Sequence, residues 1–227
     1  MTDQDKKPDY KEIYKIVKDL FEKVDFLSYG PFDETYYTLR VFNVAEKIMN
    51  QLDEKCDKEA ILVAALLHDV GKIKLNFDLL FKGGEFLGSF SEEWRKHSKI
   101  SVEFAGEILA NLNYPSDFLT RVLYLIENHD LRGDKMKERT IELKVLQDAD
   151  LIADLGMTGF IRPFLYGGKY KRSVIKSIAF IKTEDRTAGG TKLNLELSKK
   201  IAKKEMDTQK RLVDEISEGL KNSYFEL

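Results

Sequence analysis

The chain has 227 residues, 43% hydrophobic and 33% charged, with 37 basic against 39 acidic side chains and a net charge of −2. This length suits one domain that buries about 70% of the surface of its unfolded form, and the balance of apolar and charged residues describes a well-solvated globular protein, not a disordered chain. The near-neutral charge implies no pull towards a nucleic acid polymer, and the single Cys56, read as a small half-buried core residue, excludes an intramolecular disulfide framework and fits a reducing compartment.

No run approaches ~18 uncharged apolar residues, and the start from Met1 to Pro8 lacks the apolar centre of a signal peptide, so a cytoplasmic protein without membrane contact is expected. Helical spacing dominates from there. Ile13, Ile16, Val17, Leu20, Phe21 and Val24 recur every three or four residues, which predicts an amphipathic first helix. Leu39, Phe42, Ala45 and Ile48 repeat the pattern for a second helix. The unbroken apolar run from Ala60 to Leu67 predicts a fully buried third.

That third helix ends on His68-Asp69, followed by Val70-Gly71-Lys72. Adjacent side chains on a helix diverge by ~100°, so a His-Asp pair cannot share one apolar face, and the helix end must be polar for a reason. Capping is the ordinary reason. Imidazole and carboxylate are also ligands of divalent metals, and a lysine three residues on could hold a phosphate beside them.

The stretch from Lys72 to Phe90 contains Gly83, Gly84 and Gly88 and is expected to be an irregular, mobile loop. Ser91, with Glu92 and Glu93 behind it, predicts a helix start. His97 begins a further helical stretch, Pro115-Ser116 opens another, and His129 ends that one. The chain has only these three histidines, and each lies at the edge of a helical segment. Gln147-Asp148-Ala149-Asp150 then places two carboxylates inside an otherwise buried helix, Leu143 to Leu155, where an unpaired charge would be costly and a cation would supply a partner.

Beyond Arg162 the pattern is hardest to read. Residues from Arg162 to Arg172 mix cations, aromatics and paired glycines, a segment that could close over an anion or be a solvated loop, and a weak alternation from Tyr170 to Ile181 is the one strand-like signal. An irregular segment over about 163–190 is expected. From Leu193 onward Leu197, Ile201, Leu212, Ile216 and Leu220 keep helical spacing through charged sequence, predicting a long terminal helix to about residue 221. Docking on the core is its ordinary role and formation of a homodimer the sharper one.

From about Glu34 to Gly168 the chain resembles the HD-domain metal-dependent phosphohydrolases, whose pattern is a His, a His-Asp pair and a distant Asp on separate helices. Ala64 to Lys72 matches the central motif. Gln147 to Asp150, followed by Gly156 to Arg162, is similar to the segment carrying the last Asp in a subgroup of small, single-domain members. The resemblance implies an all-α helical bundle in one domain over 1–227, with its motif-bearing core at about 34–168. It implies a divalent metal on His68, Asp69 and Asp150, with Asp148 as the alternative, and a second metal on His97 and His129 with Asp69 bridging.

The resemblance also implies hydrolysis of a phosphate ester or anhydride, in a nucleotide or other small phosphorylated metabolite. The metal would activate a water and polarise the phosphoryl group, and Asp69 and Lys72 would be catalytic. Arg40 and Arg162 would contact substrate, although Arg40 could instead form a structural ion pair. One position departs from the family. Tyr37 stands where the first His is expected, in Tyr37-Thr38-Leu39-Arg40-Val41, and a phenol with a pKa near 10 is a poor ligand. It could bind as phenolate, leave a water in its place, or mark a decayed site. The last outcome would make the protein a nucleotide sensor without activity.

Overall fold

The computed structural model describes residues 6–24, 32–82, 85–86, 91–132, 138–182 and 192–221. Several helices start where a short polar side chain takes up free amide groups. The Asp9 carboxylate accepts from Lys11 and Glu12 at the start of α1 (Tyr10–Phe21), Asp33 accepts from Tyr36 in α2 (Glu34–Met49), and Asp57 accepts from Ala60 in α3 (Lys58–Leu67). The stripe Ile13, Val17 and Phe21 of α1 is buried, as are Val41, Ala45 and Ile48 of α2.

Helix α3 is buried along its whole run from Ala60 to Leu67, because α1, α2, α7 (Ser116–Asn128) and α8 (Ile141–Ala153) pack around it. A helix that is apolar all round has no other stable place. His68 therefore emerges from the centre of the bundle. Directly after it, residues Val70–Lys74 form a 3₁₀ turn that lies against α6 (His97–Asn111).

The stretch expected to be a loop carries more order than its glycines suggest. It holds a one-turn α4 (Phe77–Leu80) and a two-residue antiparallel pair, β1 (Phe81–Lys82) with β2 (Glu85–Phe86). Gly83, Gly84 and Gly88 lie outside the described residues. Ser91 does open a helix, since its hydroxyl accepts from Glu93, but α5 is only Glu92–Arg95 and α6 restarts at His97. Cys56 is half-buried.

The segment expected to be irregular is largely helical: α9 runs Gly156–Lys169 and α10 runs Val174–Ile181. The alternation near Tyr170 forms no strand. Ser173 caps α10 by accepting from Lys176, and Ile178 and Ile181, three apart, are buried beside Val213 while Val174 and Ile175 are exposed. Three-residue spacing on a capped segment outweighs a short alternation. Residues 183–191 lie outside the described residues.

The terminal helix α11 (Glu196–Lys221) docks on α9 and α8, burying Ser198, Ala202, Gln209 and Val213. Its start is held by Asp148, whose carboxylate accepts from the Asn194 amide at 2.7 Å, the Leu195 amide at 2.9 Å and the Asn194 side chain at 2.9 Å. The partner of this buried carboxylate is thus a helix N-terminus, not a cation. Asp148→Ala is expected to lower stability by about 1–2 kcal/mol through three stranded donors, read as a lower urea midpoint with an unchanged slope. Among the described residues no helix is long and apolar enough to cross a membrane.

Candidate metal centre

His68, His97 and His129 come from three separate elements and meet in one place. His68 is the residue just after α3, His97 begins α6 and His129 is the residue just after α7. All three are essentially without solvent exposure. Each is held the same way, with Nδ1 facing the carbonyl three residues earlier: Ala65 at 2.9 Å for His68, Trp94 at 2.6 Å for His97, and Ile126 at 2.6 Å for His129. A carbonyl only accepts, so Nδ1 is the donor and the neutral ring carries its lone pair on Nε2, as in metal-ligating histidines.

The three Nε2 atoms converge on Asp69. Its Oδ2 lies 3.1 Å from His68, and its Oδ1 lies 3.4 Å from His97 and 3.8 Å from His129. His97 Nε2 and His129 Nε2 are 3.2 Å apart. Burial alone would push the Asp69 carboxyl up, but His68 and Lys72 outweigh it and hold the group well below the usual carboxylate range. Burial pulls the His68 imidazolium down, yet Asp69 and Asp150 reverse this and push its pKa up to about 10. His129 is lowered, first by burial.

Of the two carboxylates in the Gln147–Asp150 cluster, Asp150 faces the site. Its Oδ1 is 3.5 Å from His68 Nε2 and accepts the Tyr37 hydroxyl at 2.7 Å, while its Oδ2 accepts from Arg132 at 2.8 Å. Burial, with Asp150, Asp154 and Asp69 nearby, raises the Tyr37 hydroxyl well above its ordinary pKa, so the phenol stays neutral and donates. Gln147 turns the other way and holds the end of α7, donating to the Asn128 and Leu131 carbonyls. One helix turn thereby seats α11, α7 and the site together.

Lys72, buried, reaches Asp69 at 2.6 Å and Glu34 at 3.3 Å, with the Trp94 ring centroid 4.9 Å from its ammonium. Arg162 is also buried in the wall; it pairs with Glu34 at 2.8 Å, donates to the Phe32 and Asp33 carbonyls and lies 4.4 Å from the Tyr37 ring centroid. Arg40 is elsewhere. Its Nε donates to the Ala153 carbonyl at the end of α8, and it does not line the cavity.

The cavity over these groups measures about 250 Å³, with Phe77, Trp94, Tyr166 and Phe180 among its walls. Glu34, Asp130 and Arg132 belong to it and were not singled out from the sequence. A signal existed for Asp130: His129-Asp130 repeats the His-Asp pair of residues 68 and 69 at a second helix end. Among the described residues two donor sets within metal-binding reach result, His68 with Asp69 and His129, and His97 with His129 and Asp130. A divalent ion fits these residues: His68 Nε2 is buried without an aligned hydrogen-bond partner, and two imidazole lone pairs face each other at 3.2 Å, which repels unless a cation or proton lies between.

Residues 36–154 match the model of the HD domain. The fold is similar to that of an HD-superfamily hydrolase from Bacillus thuringiensis (21% identity over 93% of this chain and 96% of the other, TM-score 0.64). It is also similar to a predicted HD-superfamily hydrolase from an uncultured Thermotogales bacterium (23% identity, 96% and 94% coverage, TM-score 0.57) and to Bacillus subtilis YpgQ in complex with ADP (18% identity, 92% and 94% coverage, TM-score 0.65). A search of curated proteins found no significant match. With the family pattern spanning over half of its length, and a His-Asp pair at the end of a buried central helix, the chain belongs to the HD-domain family.

Proposed function

We propose that this protein is a metal-dependent hydrolase of a phosphate ester or anhydride, acting on a small phosphorylated metabolite. The observation that carries the reading is the convergence of three orientation-fixed imidazoles on Asp69 at the floor of a cavity that also holds Lys72 and Arg132. A divalent ion bound by these histidines, Asp69 and neighbouring carboxylates supplies a Lewis acid and a water of lowered pKa. The chain's own residues do the rest. Lys72 sets positive charge next to Asp69, where it balances charge on a phosphoryl group in the transition state. Arg132 adds a second cation at the opposite side, against Asp150.

A nucleotide is the favoured substrate class. Aromatic side chains among the cavity walls suit a base, and the similar Bacillus subtilis protein has been crystallised with ADP. A panel of nucleoside mono-, di- and triphosphates and simple phosphate esters, assayed with manganese, cobalt and magnesium, tests the reading; absence of turnover with every metal overturns it. Lys72→Ala is expected to cut turnover roughly 10–100-fold in a protein that stays folded. A second reading, a sensor that binds a nucleotide without cleaving it, is favoured by one feature: Tyr37 in place of a histidine and bonded to Asp150. Tight nucleotide binding by an inert protein would select it.

A further inference from the structure

Four buried charges alternate along one wall of the cavity: Arg162 from α9, Glu34 from α2, Lys72 from the 3₁₀ turn and Asp69 just before that turn. Charge balance alone does not require this order. Arg162 compensates Glu34 and Asp69 compensates Lys72, yet the second oxygen of Glu34 also reaches the ammonium: Lys72 Nζ lies 2.6 Å from Asp69 Oδ2 and 3.3 Å from Glu34 Oε2.

Lys72 needs such a restraint, because a lysine ammonium is a point charge on a flexible four-carbon stem. One acceptor would leave the group free to swing about a single contact. Two acceptors set two of its three N–H directions, and tetrahedral geometry then sets the third, which is left for a phosphoryl oxygen in the cavity.

Glu34 is itself firmly held. It is the first residue of α2, where the helix dipole favours an anion. Its Oε1 accepts from Arg162 Nη2 at 2.8 Å and from the Tyr166 hydroxyl at 3.2 Å. The other terminal nitrogen of Arg162 donates to the Phe32 and Asp33 carbonyls at 3.0 and 3.2 Å, so one guanidinium fixes both the carboxylate and the chain entering α2. Burial would push the Glu34 carboxyl up, but Lys72 and Arg162 outweigh it and keep the group an anion.

We propose that Glu34 is a positioning residue that sets the direction of the Lys72 ammonium, and that Arg162 serves the site by fixing Glu34 and not by contacting substrate. The inference rests on the hydrolase reading above, in which Lys72 balances charge on the phosphoryl group.

The test uses the full chain with the fastest substrate and metal of the panel above. Glu34→Gln is expected to lower kcat about tenfold with KM within about twofold of wild type, and to change turnover by less than about twofold when added to Lys72→Ala. Because Glu34→Gln strands a buried guanidinium, a second variant replaces the pair, Glu34→Met with Arg162→Met, and carries the test where the single variant loses its native circular dichroism. It is expected to fold and to keep the tenfold loss; turnover restored to the wild-type rate would mean that Glu34 serves only to neutralise Arg162, and overturns the proposal. A full additional loss on top of Lys72→Ala overturns it as well.

A readout without turnover is acetylation of Lys72 by acetic anhydride, followed by peptide mass spectrometry against the exposed Lys203. Loosening of the ammonium is expected to raise the ratio at least about threefold in either variant. An unchanged ratio would mean that Asp69 alone holds Lys72, and overturns the proposal. Active wild type with unaffected Glu34 variants sinks this inference alone, whereas wild type inert with every metal and substrate sinks the proposed function with it.

Discussion

Asp69→Ala is expected to abolish hydrolysis, with turnover falling by at least roughly 10²–10³-fold and with loss of bound metal. Among the described residues Asp69 is the one carboxylate that approaches all three histidines, and it is also a partner of Lys72. Its removal leaves no anion common to all three imidazoles and turns the ammonium towards Glu34 alone. Asp69→Asn keeps the volume and removes the charge, so it should lose turnover equally. Both variants are checked by activity assay, elemental analysis and circular dichroism. Retained turnover in either variant would end the hydrolase mechanism described here.

Gly71→Ala is expected to destabilise the protein by about 3 kcal/mol, at the upper end of the range for forcing one extra carbon into a packed interior. A Cβ at this position would stand 2.3 Å from the His97 carbonyl oxygen and 2.4 Å from the Ser101 amide nitrogen, both backbone atoms of α6 that cannot rotate away. The Gly71 amide also donates to the Ser101 hydroxyl at 2.8 Å. Separating the 3₁₀ turn from α6 would carry His97 away from Asp69, so metal affinity should fall together with stability. Chemical denaturation and cobalt titration of the same variant measure both. A variant with wild-type stability would show that α6 is seated by other contacts.

These two residues illustrate different kinds of legibility. Asp69 announces itself, because a carboxylate ending eight apolar residues must have a partner. Gly71 does not, since the helix that crowds it lies about 30 residues away in sequence. The carboxylates of Gln147-Asp148-Ala149-Asp150 fall between. Their burial is readable, but which one meets His68 depends on the rotation of α8, and that is decided by the packing of α2 and α11 against it. Arg40 shows the limit of motif matching. It sits three residues beyond Tyr37, on the same helix, yet points to the end of α8 and not into the cavity.

Sequence by itself determined the helical class, the buried central helix with its polar end, and the set of histidines available to a metal. These follow from periodicity, burial cost and residue chemistry, which act locally. Tertiary structure alone decided what Tyr37 does in place of a histidine. A phenol can bind a metal, yield to water or donate a hydrogen bond, and the choice belongs to its surroundings: burial and three nearby carboxylates keep it protonated, and Asp150, 113 residues away, accepts from it. The same packing left Asp130 beside His97, across two helix ends that no sequence spacing connects. Helices are specified within a few turns of chain, whereas a site made at their ends is specified by how all of them pack.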